Sequence, residues 1–417
     1  MAQLSDDCFA FGGTLLTVAS ALAEIEARVT PVVETETLLL PAAAGRILAH
    51  DIIATMNLPP HDNSAVDGYA VAHADLIPDR DTIMPVTGRA AAGHPLDRPA
   101  RRGEAIRIFT GAPMPEGTDT VMMQEDCAFE AGRVLLKPGI RRGANRRHAG
   151  EDITEGEVAL PAGRRLRAPD LGLAAALGNR ELCVFRPLRV ALLSTGDEVR
   201  DPGVRLPQGA IYDANRFMLA ALLGGLGCDV SDFGIYPDRE AALFEALAAA
   251  SAQHDLVVTS GGVSTGEEDH VKSAVERLGT LHFWRLAIKP GRPVALGQVG
   301  GVPLIGLPGN PVAAIVTFLV LARPLVAKLA GATTSEPRLF PVRSGFGYRK
   351  RPGRREYLRA NLERNGDAVL AVKYARDGAG ILSSIVRSDG LVILDEELSE
   401  LTVGTMVDFL PFSEVIA

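Results

Sequence analysis

The sequence predicts a multidomain α/β protein. Its core is a doubly wound α/β domain at 186–333, flanked by an irregular β module (56–149), a discontinuous and mainly helical domain (1–55 plus 150–185) and a small antiparallel β domain (338–417). Three observations carry this reading. A chain of 417 residues is too long for one hydrophobic core. From Leu188 to Ala330, short apolar runs alternate with helical patterns, the signature of βαβ units around a mainly parallel sheet. The flanks lack that alternation: 56–149 is rich in Pro and Gly, and the runs YLRANL, AVLAVKY, GLVILD and MVDFL near the C-terminus have the two-residue period of strands.

Taken from the N-terminus, Phe9–Ala23 is apolar, but Asp6 and Asp7 precede it without Lys or Arg, which speaks against a signal peptide. Val18, Leu22 and Ile25 instead mark one face of a helix. The β module holds three loop segments. These are LPPHDNSAVDGYA (58–70), IFTGAPMPEG (108–117) and GANRRHAGEDI (143–153), in which Arg146 and Arg147 stand beside Glu151 and Asp152 either as salt bridges or as ligands of a phosphate and its metal. In the α/β region the expected order is VALL, NRFMLAALLGGLG, CDVSDFGIY, REAALFEALAAASA, DLVVTS, HVKSAVERLG, WRLAI, VALGQV, VPLIGL and PVAAIVTFLVLA. Val312–Ala322 is short of the roughly 20 residues a bilayer span needs and is expected to be a buried helix.

Ligands of doubly wound sheets gather at the carboxyl ends of the strands. The segments that follow the strands are STGDE (194–198), IYPD (235–238), TSGGVSTGEED (259–269), KPGRP (289–293) and LPGNP (307–311), so nearly all the polar and glycine-rich punctuation is expected at one rim. Gly261 and Gly262 would bring bare N–H groups to an anion, whereas Glu267, Glu268 and Asp269 would repel one unless a hard cation stood between. An acidic start to the following helix would explain the same carboxylates without any ligand. Asp197 and Glu198 would meet those acids on the rim, Lys289 and Arg292 add cations, and LPGNP reads as a glycine turn, an Asn N-cap and Pro311 at the first helical position. The run YRKRPGRR (348–355) reads as a solvated hairpin.

Several classes are excluded. Net charge of −8 argues against a nucleic-acid or anionic-membrane surface as the main partner. Cys8, Cys127, Cys183 and Cys228 form no CxxC pair, which fits packing residues in a reducing, cytoplasmic setting. GxxxxGK[ST], a GxGxxG after the first strand, GxSxG and metal-spaced His pairs are all missing. Metal-assisted chemistry on a small phosphorylated substrate is the economical remainder.

The segments HDNSAVDGYA, IFTGAPMPEG, NRRHAGEDI, STGDE, IYDANR, TSGGVSTGEEDHVK, LAIKPGRP and GLPGNPVA, in this order, resemble the signatures of the molybdopterin molybdenumtransferases, the MoeA family that includes the gephyrin E domain. The resemblance implies a MogA/MoaB-like central domain, a C-terminal β barrel, and a homodimer whose active site is shared between subunits. It also implies the reaction: adenylated molybdopterin is hydrolysed with Mg²⁺ and molybdate, AMP leaves, and molybdenum enters the dithiolene. Carried onto this chain, the catalytic positions are Asp67, Thr110, Asp152, Glu198, Asp238 and Asp269, with Glu198 and Asp269 holding Mg²⁺. Ser260, Gly261, Gly262, Ser264, Lys289, Arg292, Pro308 and Pro311 are the expected cofactor-binding positions. His61, Val66, Thr265, Glu268 and Arg292 depart from the family pattern. Two rivals stay open: an adenylyltransferase built on the same central domain, and a non-catalytic scaffold.

Overall fold

The computed structural model describes residues 15–262, 270–333 and 336–416, and of Phe283 the backbone alone. Asp269, Ser264, Thr265, Glu267 and Glu268 therefore lie outside the described residues.

The central sheet has six strands in the order Asp229–Tyr236, Arg189–Thr195, Leu256–Ser260, Val302–Leu307, Pro293–Val299, Gly279–Arg285. The first four run parallel, Pro293–Val299 is antiparallel to both its neighbours, and Gly279–Arg285 thereby runs with the majority. Leu256–Ser260 is buried at every position, as a strand covered on both faces must be. Alternate residues divide between two cores. Val190 and Leu192 join the helices Asn215–Gly225 and Pro311–Thr317 on one face, while Ala191 and Leu193 join Glu240–Gln253 and His270–Leu278 on the other.

The apolar helix goes further than its sequence pattern suggested. Pro311–Thr317 continues through a π-helical turn, Phe318–Ala322, into Arg323–Leu329. The resulting 19 residues are long and apolar enough to cross a membrane, but they pack inside the protein, with Val312 to Ala322 buried throughout. The N-terminal helix Val18–Arg28 buries Val18, Ala21 and Ile25 in the same core, and Thr17 caps it by accepting from the Ser20 amide at 3.1 Å.

The unit expected to be mainly helical departs from that description. Among the described residues of 1–55 and 150–185 the α-helices are Val18–Arg28, which packs in the core of the α/β domain, and Ala168–Ala176; antiparallel pairs Thr35–Leu39 with Glu181–Phe185 and Ile52–Ile53 with Val158–Leu160 make up much of the rest. The apolar residues there cluster as strand faces do, with Leu182 and Val184 inward and Cys183 between them.

The β module is a six-stranded sheet in the order Thr120–Met123, Gly68–Val71, Ala105–Ile108, Thr82–Ala90, Arg133–Leu136, Cys127–Glu130. Both its faces are packed, Tyr69 and Val71 against Met84 and Val134, and Ala70 against Ile106 and Val121. At the C-terminus, Phe340–Ser344, Arg355–Asn365, Ala368–Lys373, Gly390–Leu394 and Met406–Pro411 close into a five-stranded barrel. The α/β domain lends it an extra strand, Ile288–Lys289, parallel to Arg355–Glu356. Tyr357, Leu391 and Leu410 of the barrel enter the core of the α/β domain, so the two are tied by shared apolar contacts as well as by that strand.

Candidate active site

The first strand of the sheet, Arg189–Thr195, connects through one helix to Asp229–Tyr236 on its one side and then through the next to Leu256–Ser260 on its other. The winding direction reverses between Arg189–Thr195 and Leu256–Ser260, and such a switch point opens a crevice at the carboxyl ends. There the structure has a cleft of about 890 Å³, roofed by the barrel. STGDE, IYPD, TSGG, KPGRP and LPGNP all contribute to it, which places the sequence-predicted punctuation on a single rim.

The floor is made by residues that the fold leaves polar and unpartnered. Ser194 and Thr195 are 2% and 4% exposed, and among the described residues neither hydroxyl has a hydrogen-bond partner; the same holds for the side-chain carbonyl oxygen of Asn215. The Asn215 amide donates to Ser260 Oγ at 2.9 Å and to the Gly309 carbonyl at 2.7 Å, so its oxygen is held in a fixed direction. Buried polar atoms are almost always satisfied, and a cluster of exceptions lining a cleft marks a place where a ligand completes the set. The loop above it must be glycine. Gly261 has φ +89°, and a Cβ there would lie 2.7 Å from the Thr195 carbonyl oxygen.

The walls carry charge. Lys289 and Arg292 line one side, both exposed. Lys289 Nζ donates to Glu356 Oε2 at 3.1 Å and to Tyr348 OH at 3.4 Å. Burial draws its pKa down, but Glu356 more than offsets this and leaves the ammonium's pKa raised. Arg359, on the barrel side, is 5% exposed, and among the described residues its guanidinium bonds only neutral acceptors: Ser384 Oγ at 3.0 Å and the carbonyls of Arg376 and Gly378 at 3.4 Å. A buried cation without a carboxylate partner is costly unless an anion joins it.

Glu198 and Asp238 stand on the opposite lip. The Asp238 amide donates to Asp197 Oδ1 at 3.2 Å, and the Asp238 carboxyl has its pKa raised first by burial, then by the negative charges of Asp197 and Glu198. Carboxylates that crowd in this way suit a hard divalent cation, which would relieve their repulsion. Among the described residues no three His, Cys, Asp or Glu side chains are grouped closely enough to hold a metal by themselves, so Asp269, outside the described residues, would have to complete the set.

Of the other expected positions, Ser260, Gly261, Gly262, Pro308 and Pro311 line the cleft. Asn310 takes the N-cap place before Pro311 but makes no side-chain capping bond. Asp67 and Thr110 do not line this cleft; they meet each other on the β module, where Asp67 Oδ1 accepts from the Thr110 amide and hydroxyl, both at 2.8 Å. The amide bond first, then the hydroxyl, lowers the pKa of Asp67. Asp152 is exposed on the neighbouring loop, its amide bonded to the Leu58 carbonyl at 3.0 Å, and it too is absent from the cleft lining. In the same segment Arg146 pairs with Asp62 and Arg147 with Glu151, the salt-bridge alternative. The run 348–355 is no solvated hairpin: Lys350 is 8% exposed and donates to the carbonyls of Asp395, Glu396 and Leu398.

This architecture matches known families along nearly its whole length. Residues 16–178 match the MoeA N-terminal region (domains I and II), 191–328 a probable molybdopterin-binding domain, and 341–412 the MoeA C-terminal region (domain IV). The chain is 41% identical over 386 residues to a molybdopterin molybdenumtransferase of Haemophilus influenzae, covering 92% of this chain and 95% of that one. It belongs to the molybdopterin molybdenumtransferase (MoeA) family of enzymes. A relative of the same name from Nostoc sp. is 38% identical over 75% of this chain and 73% of its own length. The crystal structure of a molybdopterin biosynthesis MoeA protein from Pyrococcus horikoshii OT3 superposes with a TM-score of 0.81 at 28% identity, covering 95% of this chain and all of that one. Within the MoeA family frame, the cleft lies in the stretch matched by the molybdopterin-binding model, and its roof in the stretch matched as domain IV.

Proposed function

We propose that this cleft binds adenylated molybdopterin and molybdate, hydrolyses the phosphoanhydride to release AMP, and passes molybdenum to the dithiolene during molybdenum cofactor biosynthesis. The observation that carries the reading is the group of buried polar atoms without a partner among the described residues, Ser194 Oγ, Thr195 Oγ1 and Asn215 Oδ1, at the switch point beneath the glycine loop. They supply fixed donors and acceptors to a polar heterocycle or phosphate at little reorganisation cost. The Gly261 N–H is already donated to the Leu307 carbonyl at 3.1 Å, which leaves the Gly262 N–H for the phosphates, while Lys289, Arg292 and Arg359, whose hydrogen bonds go to neutral acceptors, hold oxyanions on the opposite wall. Ser264, outside the described residues, is assigned with them from the family resemblance.

Glu198, Asp238 and Asp269 fit a magnesium ion by donor chemistry. Bound there, the ion would polarise phosphorus and offset the charge of the departing AMP. Glu198 and Asp238 would repel the phosphates unless that cation stood between them; water is the attacking group in this reading, and no protein nucleophile is required. Asp67, Thr110 and Asp152 are read as acting at the cleft of a second copy in a homodimer. In support, their own cleft does not include them, and the Thr110 bonds hold Asp67 ionised at the surface. The match of residues 16–178 to the N-terminal region weighs against an adenylyltransferase that has the central domain alone. A cytoplasmic setting goes with a pathway of soluble intermediates.

AMP release from adenylated molybdopterin, with molybdate and Mg²⁺ supplied, tests the assignment. Glu198→Ala and Asp269→Ala should each lose on the order of 100-fold or more in rate, and chelation of the divalent ion should do the same to the wild type. Wild-type rates in both variants would refute it.

A further inference from the structure

Lys289 is not free to give its whole charge to a ligand. The pairing of Ile288–Lys289 with Arg355–Glu356 sets Lys289 beside Glu356 across the junction between the α/β domain and the barrel. Glu356 is 2% exposed, and its Oε2 accepts from Lys289 Nζ at 3.1 Å and from Tyr348 OH at 2.8 Å. All three residues line the cleft. The next cation along the barrel edge, Lys350, has its ammonium committed to three backbone carbonyls, at 2.7 to 3.2 Å. Arg292, by contrast, is exposed in the same loop as Lys289, and Arg359 hydrogen-bonds only neutral acceptors although Asp377 lies near it, so among the described residues Lys289 is the one cleft cation hydrogen-bonded to a carboxylate.

A carboxylate that is nearly dry acts strongly on its neighbours, because little water screens it. Any oxyanion that takes the remaining N–H of Lys289 must share the ammonium with Glu356 and also feel its repulsion. The Tyr348 hydroxyl moderates this by donating to the same carboxylate oxygen. We propose that Glu356 is a restraining counter-ion of the anion site: it weakens the hold on molybdate at Lys289 so that the oxyanion can move on to the dithiolene instead of being trapped. The barrel thereby sets the affinity of a site otherwise built by the α/β domain, and Tyr348 sets how far the restraint reaches. Glu356 and Tyr348 act through Lys289 and are positioning residues. The inference rests on the reading of Lys289 and Arg292 as oxyanion ligands.

Isothermal titration of inorganic molybdate into the purified full-length protein at neutral pH tests both levels. Lys289→Met should weaken binding about tenfold or more, equivalent to about 1.4 kcal/mol per factor of ten. Glu356→Gln keeps the size of the side chain and an acceptor for Lys289 and Tyr348 but removes the charge, and should tighten binding about tenfold. A residue with a merely structural role would leave affinity unchanged or lower it when replaced. Tyr348→Phe frees the carboxylate to engage Lys289 more fully and should weaken binding about threefold. Tightening in Glu356→Gln together with weakening in Tyr348→Phe supports the proposal. Unchanged or weaker binding in a Glu356→Gln protein of wild-type thermal midpoint overturns it while leaving the oxyanion site in place, and an inert Lys289→Met overturns both. Should Glu356→Gln not fold, Tyr348→Phe decides: weaker binding supports the restraint and unaltered binding overturns it.

Discussion

Asp238 shows how one residue can be disadvantageous to the fold and useful to the site. Its carboxyl has a pKa raised above the ordinary 3.8 by burial, by Asp197 and by Glu198. An acid whose folded-state pKa is raised binds its proton more tightly in the folded protein. Its contribution to stability is therefore present below the unfolded value and is lost as pH rises through the folded one. Asp238→Asn should raise the thermal midpoint modestly at neutral pH, with the gain vanishing below about pH 4, while AMP release falls. A scan of unfolding temperature against pH for both proteins checks this, and an unchanged midpoint at neutral pH would contradict it. At this scale the sequence was partly informative. Acids and glycines at strand ends were visible, since the strand pattern alone puts them on one rim. The unpartnered state of Ser194, Thr195 and Asn215 was not, because it depends on what the neighbouring strands fail to offer.

At the scale of elements, the glycine loop after Leu256–Ser260 depends on two constraints that separate experimentally. Gly261 combines φ +89° with a close approach to the Thr195 backbone, whereas Gly209 has φ +84° with nothing within 4 Å of an added Cβ. Gly209→Ala should cost about 1 kcal/mol, the strain of the left-handed conformation alone. Gly261→Ala should cost about 2–4 kcal/mol because the two loops at the switch point must also separate, and it should reduce pterin binding where Gly209→Ala does not. Denaturant unfolding of the two variants gives the comparison; equal costs would show that the loops tolerate separation. The main strands and helices of 186–333 were legible because most carry a run of buried apolar residues, as Arg189–Thr195, Leu256–Ser260 and Val302–Leu307 do. The unit at 1–55 and 150–185 read as more helical than it is, since its strands pair across more than 100 residues of intervening chain, as Thr35 does with Phe185 and Ile53 with Val158, and no local pattern carries that information. The same reason hid Glu356 and Arg359: they reach the cleft because the barrel is joined to the α/β domain by Ile288–Lys289 and by shared apolar contacts, all distant in sequence.

Across the whole molecule, the β module contributes no residue to the cleft lining of its own chain. Asp67 and Thr110 form a finished pair away from the cleft, and the cleft has cations, glycines and carboxylates but none of the module's residues. If a second copy completes each site, Asp67→Ala and Glu198→Ala proteins, each inactive alone, should regain about a quarter of wild-type AMP release after unfolding and refolding together, because half of randomly paired dimers carry one intact site in two. Activity that stays at zero would place both residues in the same chain's site. The most direct test of the central claim, that adenylated molybdopterin and molybdate meet at the switch-point cleft, is anomalous diffraction at the molybdenum edge from crystals grown with both compounds. The account predicts a molybdenum peak within contact of Lys289, Arg292 or Arg359 and phosphate density over Ser260 to Gly262; a peak confined to the β module or to the opposite edge of the sheet would contradict it.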